Sequence, residues 1–196
     1  NRDSRWLYEI LQFLFNHIEE LNQAEFASHF KDFLEKMAVR YAEERLFTED
    51  KSIKKYGAIP VYAFNFVDYV LWKNREELKK DYDIEFKDFK FAYRRSIEHW
   101  YPQNPNGHDG ESQLPAEFLH SFGNLCIITD SQNSRFGNSY PEAKLEQWER
   151  EGIFHRQSLK LQMMAKITSK KNRWDIGEIQ SMEKEVERYV QNFCNS

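Results

Sequence analysis

The chain has 196 residues, of which 31% are charged and 16% aromatic, and its formal net charge is −4 at pH 7. This length allows one sizeable core, and the aromatic content excludes a disordered chain. The sequence contains no run of about 18 apolar residues and no signal-peptide pattern, so we expect a cytoplasmic protein with no membrane partner.

The charge is unevenly distributed along the sequence. Residues 1–50 hold 6 Lys or Arg and 11 Asp or Glu, a local charge of −5, whereas residues 152–174 hold basic side chains and no acid. A second basic group, which includes Arg94 and Arg95, lies at residues 87–95. Basic groups of this kind are found on nucleic-acid-binding surfaces but also on ordinary solvated ones, so both interpretations stay open.

Helical spacing of apolar residues dominates the first third of the chain. It predicts helices over residues 4–21, 23–46 and 60–80, with a charged connection over 47–58. The third of these segments is apolar on more than one side, which predicts that this helix lies in the centre of the core.

The periodicity changes after residue 82. Alternating apolar and polar residues over 84–93 predict strand, which Pro102 must end because proline cannot donate a ladder hydrogen bond. The pattern then predicts a loop over 103–113, a short helix over 114–122, a buried strand over 125–129 and a polar loop over 130–138. Three further helices are predicted over 141–150, 158–168 and 176–193, the last capped by Asp175.

Chemistry-bearing residues are concentrated between residues 96 and 144. The sequence SIEHWYPQNP places Glu98 beside His99 ahead of a proline, and FGNLCIITDSQNSRF then supplies Asn124 in a Gly-Asn turn and Asn133 in the polar segment. This order is typical of an HNH, or ββα-metal, nuclease site. We therefore predict an α+β fold, mostly helical, with a ββα-metal (HNH) nuclease motif embedded in a helical domain.

The same stretch resembles the C-terminal, HNH-nuclease-like domain of GmrSD-type modification-dependent restriction proteins, which act in bacterial phage defence. The resemblance is strongest over residues 86–150 and weaker over 56–82. It implies a helical scaffold over 1–82, a nuclease core over 83–150 and completing helices over 151–196. It also implies that the chain is the C-terminal half of a longer protein, whose N-terminal NTPase-like sensor domain would be a partner.

The resemblance also implies roles for individual residues. His99 would be the catalytic histidine, Glu98 and Asn133 the metal ligands, and Asn124 the residue that braces the hairpin. Lys144 matches the lysine of the following helix.

The implied chemistry is hydrolysis of DNA phosphodiester bonds, with modified phage DNA as the expected substrate. Oxygen ligands suit one Mg²⁺ or Mn²⁺ ion per site, and a neutral histidine can accept a proton from the attacking water at cellular pH. Lys144, Arg135 and Arg95 are predicted to contact the phosphates.

Two other interpretations stay open at this point. The chain can be a DNA-binding module with a decayed site, or an interaction domain whose acidic helices dock a sensor domain. His108 and His120 flank the predicted site, and the sequence assigns neither of them a definite role.

Overall fold

A computed structural model of the chain describes residues 4–46, 55–105 and 114–195. Parts of the predicted connection over 47–58 and loop over 103–113, including His108, lie outside the described residues. The chain divides into two compact units, Asn1–Thr48 and Glu49–Ser196. The predicted domain boundaries at residues 82 and 150 stay predictions.

The first unit consists of helices α1, Arg5–Asn16, and α2, Phe26–Leu46, with a short 3₁₀ turn, Ile18–Glu20, between them. Phe13 of α1 stacks on Phe33 of α2 with ring centroids 4.2 Å apart. The predicted helix over 4–21 is therefore shorter than expected, ending at Asn16.

The second unit begins its regular structure with α3, Val61–Lys73, and α4, Arg75–Tyr82. These replace the single helix predicted over 60–80, because the Asn74 amide caps the end of α3 by donating to the Val70 carbonyl at 2.8 Å. α3 is buried along most of its length and packs against the two C-terminal helices of the chain, as its apolar composition predicts.

The sheet is a two-stranded antiparallel hairpin of β1, Ser96–His99, and β2, Leu125–Ile128. Its register pairs Glu98 with Cys126 and His99 with Leu125. The strand predicted over 84–93 is wrong: this segment has no strand structure, and Tyr93 is 83% exposed. Alternation alone does not make a strand, because each strand needs a partner for its hydrogen bonds, and β2 takes β1 instead.

The remaining helices are α5, Ala116–Leu119; α6, Asp130–Phe136; α7, Pro141–Glu151; α8, Leu159–Lys171; and α9, Ile176–Cys194. α9 begins with the capping box of Asp175 and Glu178 and packs across the turn before β2. A Cβ at Gly123 would overlap the Ile179 carbonyl of α9, so only glycine allows this approach. The mostly helical α+β class is confirmed, and the ββα-metal assignment stays a prediction.

Candidate active site at the end of the hairpin

His99 and Asn124 meet at one end of the hairpin. His99 is the last residue of β1, Asn124 directly precedes β2, and the Trp100 amide donates to the Asn124 carbonyl at 2.9 Å. The antiparallel register thus extends one pair beyond the strands and brings these two predicted site residues together.

The Asn124 side chain braces this end of the hairpin. It is wholly buried, and its Oδ1 accepts from the Tyr101 amide at 2.9 Å and from Trp174 Nε1 at 3.0 Å. Its Nδ2 donates to the carbonyls of Tyr101 and Leu119 at 3.1 and 2.9 Å. All four partners are backbone groups or an indole, so Asn124 fixes the backbone that follows His99 and does not contact the imidazole itself.

Glu98 is held by a buried ammonium group. Lys144 is wholly buried and its Nζ donates to Glu98 Oε1 at 2.8 Å, while the Glu98 side chain retains 12% exposure. Burial raises the pKa of the Glu98 carboxyl, and the Lys144 ammonium opposes that rise. The pair joins β1 to α7 across 46 positions of sequence.

Lys144 lies on the predicted helix, but its ammonium contacts the protein itself. Besides Glu98, its Nζ donates to the carbonyls of His99 at 2.8 Å and Trp100 at 3.0 Å. An ammonium has three donors, and three protein oxygens take them. This geometry disagrees with the predicted phosphate contact: Lys144 holds the end of β1 in place.

The His99 ring is enclosed by other side chains and is only 4% exposed. Its Nε2 lies 3.0 Å from Nδ1 of His120, and Gln103 Nε2 lies 3.2 Å from its Nδ1. The ring of Tyr56 packs against it with centroids 4.5 Å apart. Burial lowers the pKa of His99 to about 4, and the nearby His120 and Lys144 contribute to the decrease. The imidazole is therefore neutral at cellular pH.

The sequence analysis did not assign His120, which the structure places in direct contact with His99. The segment before α3 positions it, because the Tyr56 amide donates to the His120 carbonyl at 2.9 Å and Lys55 bridges to Ser121. The signal available in the sequence was the position of His120, directly before the Ser-Phe-Gly-Asn turn.

Asn133 lies on α6 and not in the predicted polar loop, which is wrong over these residues. Thr129 and Gln132 form a capping box that starts this helix, a Thr-x-x-Gln signal that the sequence contains. The Asn133 side chain is exposed. α6 begins beside β1, where Asp130 accepts a hydrogen bond from Ser96 Oγ at 2.6 Å. Ser96 and Glu98 share one face of the strand, so α6 starts on the face that carries Glu98.

The predicted phosphate-binding arginines are exposed and already paired with acids. Arg95 lies 2.6 Å from Asp130, and Arg135 lies 3.5 Å from Glu151. Several side chains of the basic group over 152–174 also have partners. Lys160 is buried, and three other members of the group form ion pairs with acids: Lys166, Lys171 and Arg173. Exposed pairs of this kind are weak, so a phosphate can compete for both arginines.

The side-chain oxygens of Glu98 and Asn133 are of the kind that binds a hard divalent cation, although together they carry little charge. Carboxylate and amide oxygens suit Mg²⁺ or Mn²⁺. However, Lys144 already neutralises Glu98, and the described residues contain no cluster of three or more His, Cys, Asp or Glu able to hold a metal ion.

The fold is an α+β domain in which His99 and Asn124 meet at one end of a braced hairpin, with Glu98 next to His99 on β1 and Asn133 exposed on α6. The family described as the C-terminal domain of GmrSD restriction endonucleases matches residues 44–186, more than half of the chain. The chain therefore belongs to this family, and the match extends well beyond the residues 86–150 over which the sequence analysis found the resemblance strongest.

Membership makes the chain a restriction-endonuclease-related domain and implies DNA as the substrate. Neither the curated proteins nor the solved structures gave a match. Within the described part of the chain, no helix is long and apolar enough to cross a membrane.

Proposed function

We propose that this domain is a metal-dependent DNA endonuclease or nickase of the HNH, ββα-metal type, with His99 as the general base. The observation that carries the proposal is the position of His99 at the end of a hairpin that Asn124 and Lys144 brace, where burial lowers the pKa of its imidazole to about 4 and keeps the ring neutral. A neutral ring can accept the proton of an attacking water. The negative charge of a bound phosphate raises the pKa of a nearby imidazole, which would bring His99 closer to the operating pH.

In this proposal, Glu98 and Asn133 hold one Mg²⁺ or Mn²⁺ ion, which when bound stabilises the charge developing on the phosphate. Asn124 fixes the backbone beside His99, and Lys144 orients the Glu98 carboxylate through the bond at 2.8 Å. Arg95 and Arg135 are the exposed cations proposed to contact the DNA backbone.

The proposed setting follows from family membership. The substrate would be modified phage DNA, the upstream partner an NTPase-like sensor domain, and the compartment the cytoplasm. A site with one histidine and one metal ion cuts one strand, so a double-strand break would need two copies or two events.

The His99→Ala variant tests the proposal. We expect it to reduce Mg²⁺- or Mn²⁺-dependent nicking of supercoiled plasmid by at least about 100-fold while the circular dichroism spectrum is unchanged. His155→Ala is the matched control, because His155 is a partly buried histidine of the same unit outside the hairpin. Full activity of His99→Ala would contradict the proposal.

A second candidate is a DNA-binding or sensor-docking module with a decayed site. The full pairing of Glu98 with buried Lys144 favours it, because a neutralised carboxylate attracts a cation weakly. This candidate predicts salt-dependent DNA binding, or capture by the sensor domain, with no cleavage under any divalent metal.

A further inference from the structure

Both ring nitrogens of His99 have partners, and the two partners differ in kind. Nδ1 faces the amide nitrogen of Gln103 at 3.2 Å, and Nε2 faces Nδ1 of His120 at 3.0 Å. An amide nitrogen only donates, so Nδ1 of His99 is the accepting nitrogen. The tautomer that fits both contacts has the proton of the neutral ring on Nε2, from which it is donated to His120.

The backbone fixes His120 in this accepting position. His120 follows the last residue of α5 as its C-cap, and its carbonyl accepts a hydrogen bond from the Tyr56 amide at 2.9 Å. Its ring stacks over the Tyr56 ring with centroids 6.0 Å apart. The two histidine rings are close to perpendicular, with an interplanar angle of 79°. This edge-on approach directs Nε2 of His99 towards a lone pair in the plane of the other ring.

Within the described residues, the other ring nitrogen of His99, Nδ1, has the exposed side chain of Gln103 as its hydrogen-bond partner. Gln103 is exposed and follows the bend that ends β1. Its amide can leave Nδ1 without disturbing a packed element, whereas His120 is held by backbone hydrogen bonds on both sides. The ring thus has one permanent partner and one that a water or a substrate group can replace.

We propose that His120 is a positioning residue, which fixes the tautomer and orientation of His99 so that Nδ1 is the nitrogen presented to the substrate side. This inference rests on the proposed function, because it assigns His99 the reacting role. It adds a second histidine and a defined reacting atom, neither of which the sequence order Glu-His, Asn and Asn indicates.

Two substitutions at residue 120 test the proposal. His120→Asn keeps an oxygen acceptor near the place of Nδ1, while His120→Leu removes every acceptor. His155→Leu is the control for loss of a partly buried histidine in the same unit. Each variant is examined by ¹⁵N NMR of the ring nitrogens, with His99 assigned from the His99→Ala spectrum, and by single-turnover cleavage of plasmid DNA with Mn²⁺. Thermal unfolding verifies that each variant is folded.

We expect the wild type, His120→Asn and His155→Leu to show a protonated Nε2 and an unprotonated Nδ1 at His99. In His120→Leu the tautomer depends on the exposed Gln103 amide, which a water can replace, so this pattern should be lost. The cleavage rate of this variant at saturating DNA should fall about 10- to 100-fold with the half-saturating DNA concentration unchanged. Retention of tautomer and rate in His120→Leu would overturn the proposal, as would loss of the pattern in a folded His120→Asn. If the wild type cuts no DNA, the proposed function fails, but the NMR comparison still tests the positioning role.

Discussion

Two fully buried lysines hold the same end of the hairpin from different sides. Lys144 of α7 donates to the carbonyls of His99 and Trp100, where β1 ends. Lys160 of α8 donates to the carbonyls of Phe122 and Leu125, where β2 begins. Both therefore satisfy carbonyl groups that the short hairpin leaves unpaired in the interior.

The two lysines differ in the charge that faces them. The Lys144 ammonium has a hydrogen-bonded carboxylate partner, Glu98, whereas the Nζ of Lys160 donates to carbonyls and to the Met164 sulfur and lies 4.7 Å from the centroid of the Phe122 ring. Burial accordingly lowers the pKa of Lys160 to about 8. The comparison shows that a buried lysine can hold two backbone carbonyls without a carboxylate hydrogen-bonded to its ammonium.

Lys144→Met is expected to have the largest effect. Removing one member of a buried ion pair leaves the Glu98 carboxylate uncompensated, at a cost of about 3–5 kcal/mol in unfolding free energy. Cleavage activity should also be lost, because Glu98 and the end of β1 lose their positions. Urea unfolding and plasmid nicking measure the two effects.

A second substitution separates the effect of the unpaired Glu98 charge from the effect of losing the hydrogen bonds to the His99 and Trp100 carbonyls. In the Lys144→Met background, Glu98→Gln removes the stranded charge, so it should recover part of the lost stability but none of the activity. If Lys144→Met instead costs no more stability than the corresponding change at Lys160, the distinction between the two lysines fails.

Lys160→Met is expected to cost about 1–3 kcal/mol, because two carbonyls lose their donor but no carboxylate loses a hydrogen-bonded ammonium. The folded protein releases the Lys160 proton near pH 8 and the unfolded chain near its ordinary value of 10.5. Between these values the unfolded state binds more protons, so the unfolding free energy should rise with pH through this window.

Urea unfolding at pH 7.5 and pH 9.5 tests this expectation. The wild type should gain stability between these two conditions relative to Lys160→Met, which lacks the titrating group. A constant difference between the two proteins would show that the ammonium of Lys160 carries no burial penalty.

Asp68→Asn should have the smallest effect. Asp68 of α3 is buried, its Oδ1 accepts from the Lys160 amide at 3.1 Å, and its Oδ2 has no hydrogen-bond partner within the described part of the chain. Burial raises the pKa of Asp68 to about 6 from an ordinary value of 3.8.

The folded state therefore binds more protons between these values, and the contribution of Asp68 to stability falls as pH rises through them. Relative to wild type, Asp68→Asn should gain on the order of 1 kcal/mol in unfolding free energy between pH 4.5 and pH 7.5. Chemical unfolding of both proteins at the two pH values measures this gain, and an unchanged difference would contradict it.

Much of the fold was predictable where one local signal was sufficient. The capping box at Asp175, the proline that opens α7 and the apolar run of β2 each mark an element in the sequence, and each is found close to its predicted place. The errors lie where a local pattern is ambiguous. Alternation over 84–93 has no partner strand, and the polar segment after Thr129 contains an overlooked capping box.

The candidate site could be predicted in part. The residue order from Glu98 to Asn133 indicated the family, and a brace at Asn124 could be predicted because Asn124 acts on the backbone beside two paired strands. The roles of Lys144 and His120 could not be predicted from the residue order, because both depend on contacts between side chains that form only when the chain packs.

The sequence by itself determined the mostly helical class, the family and the stretch that carries the chemistry, because composition, periodicity and residue order are local properties of the chain. Only the tertiary structure decided which carboxylate the buried Lys144 faces and which nitrogen of His99 faces His120. These contacts join residues 46 and 21 positions apart, and the burial of the groups in a low-dielectric interior gives them their strength.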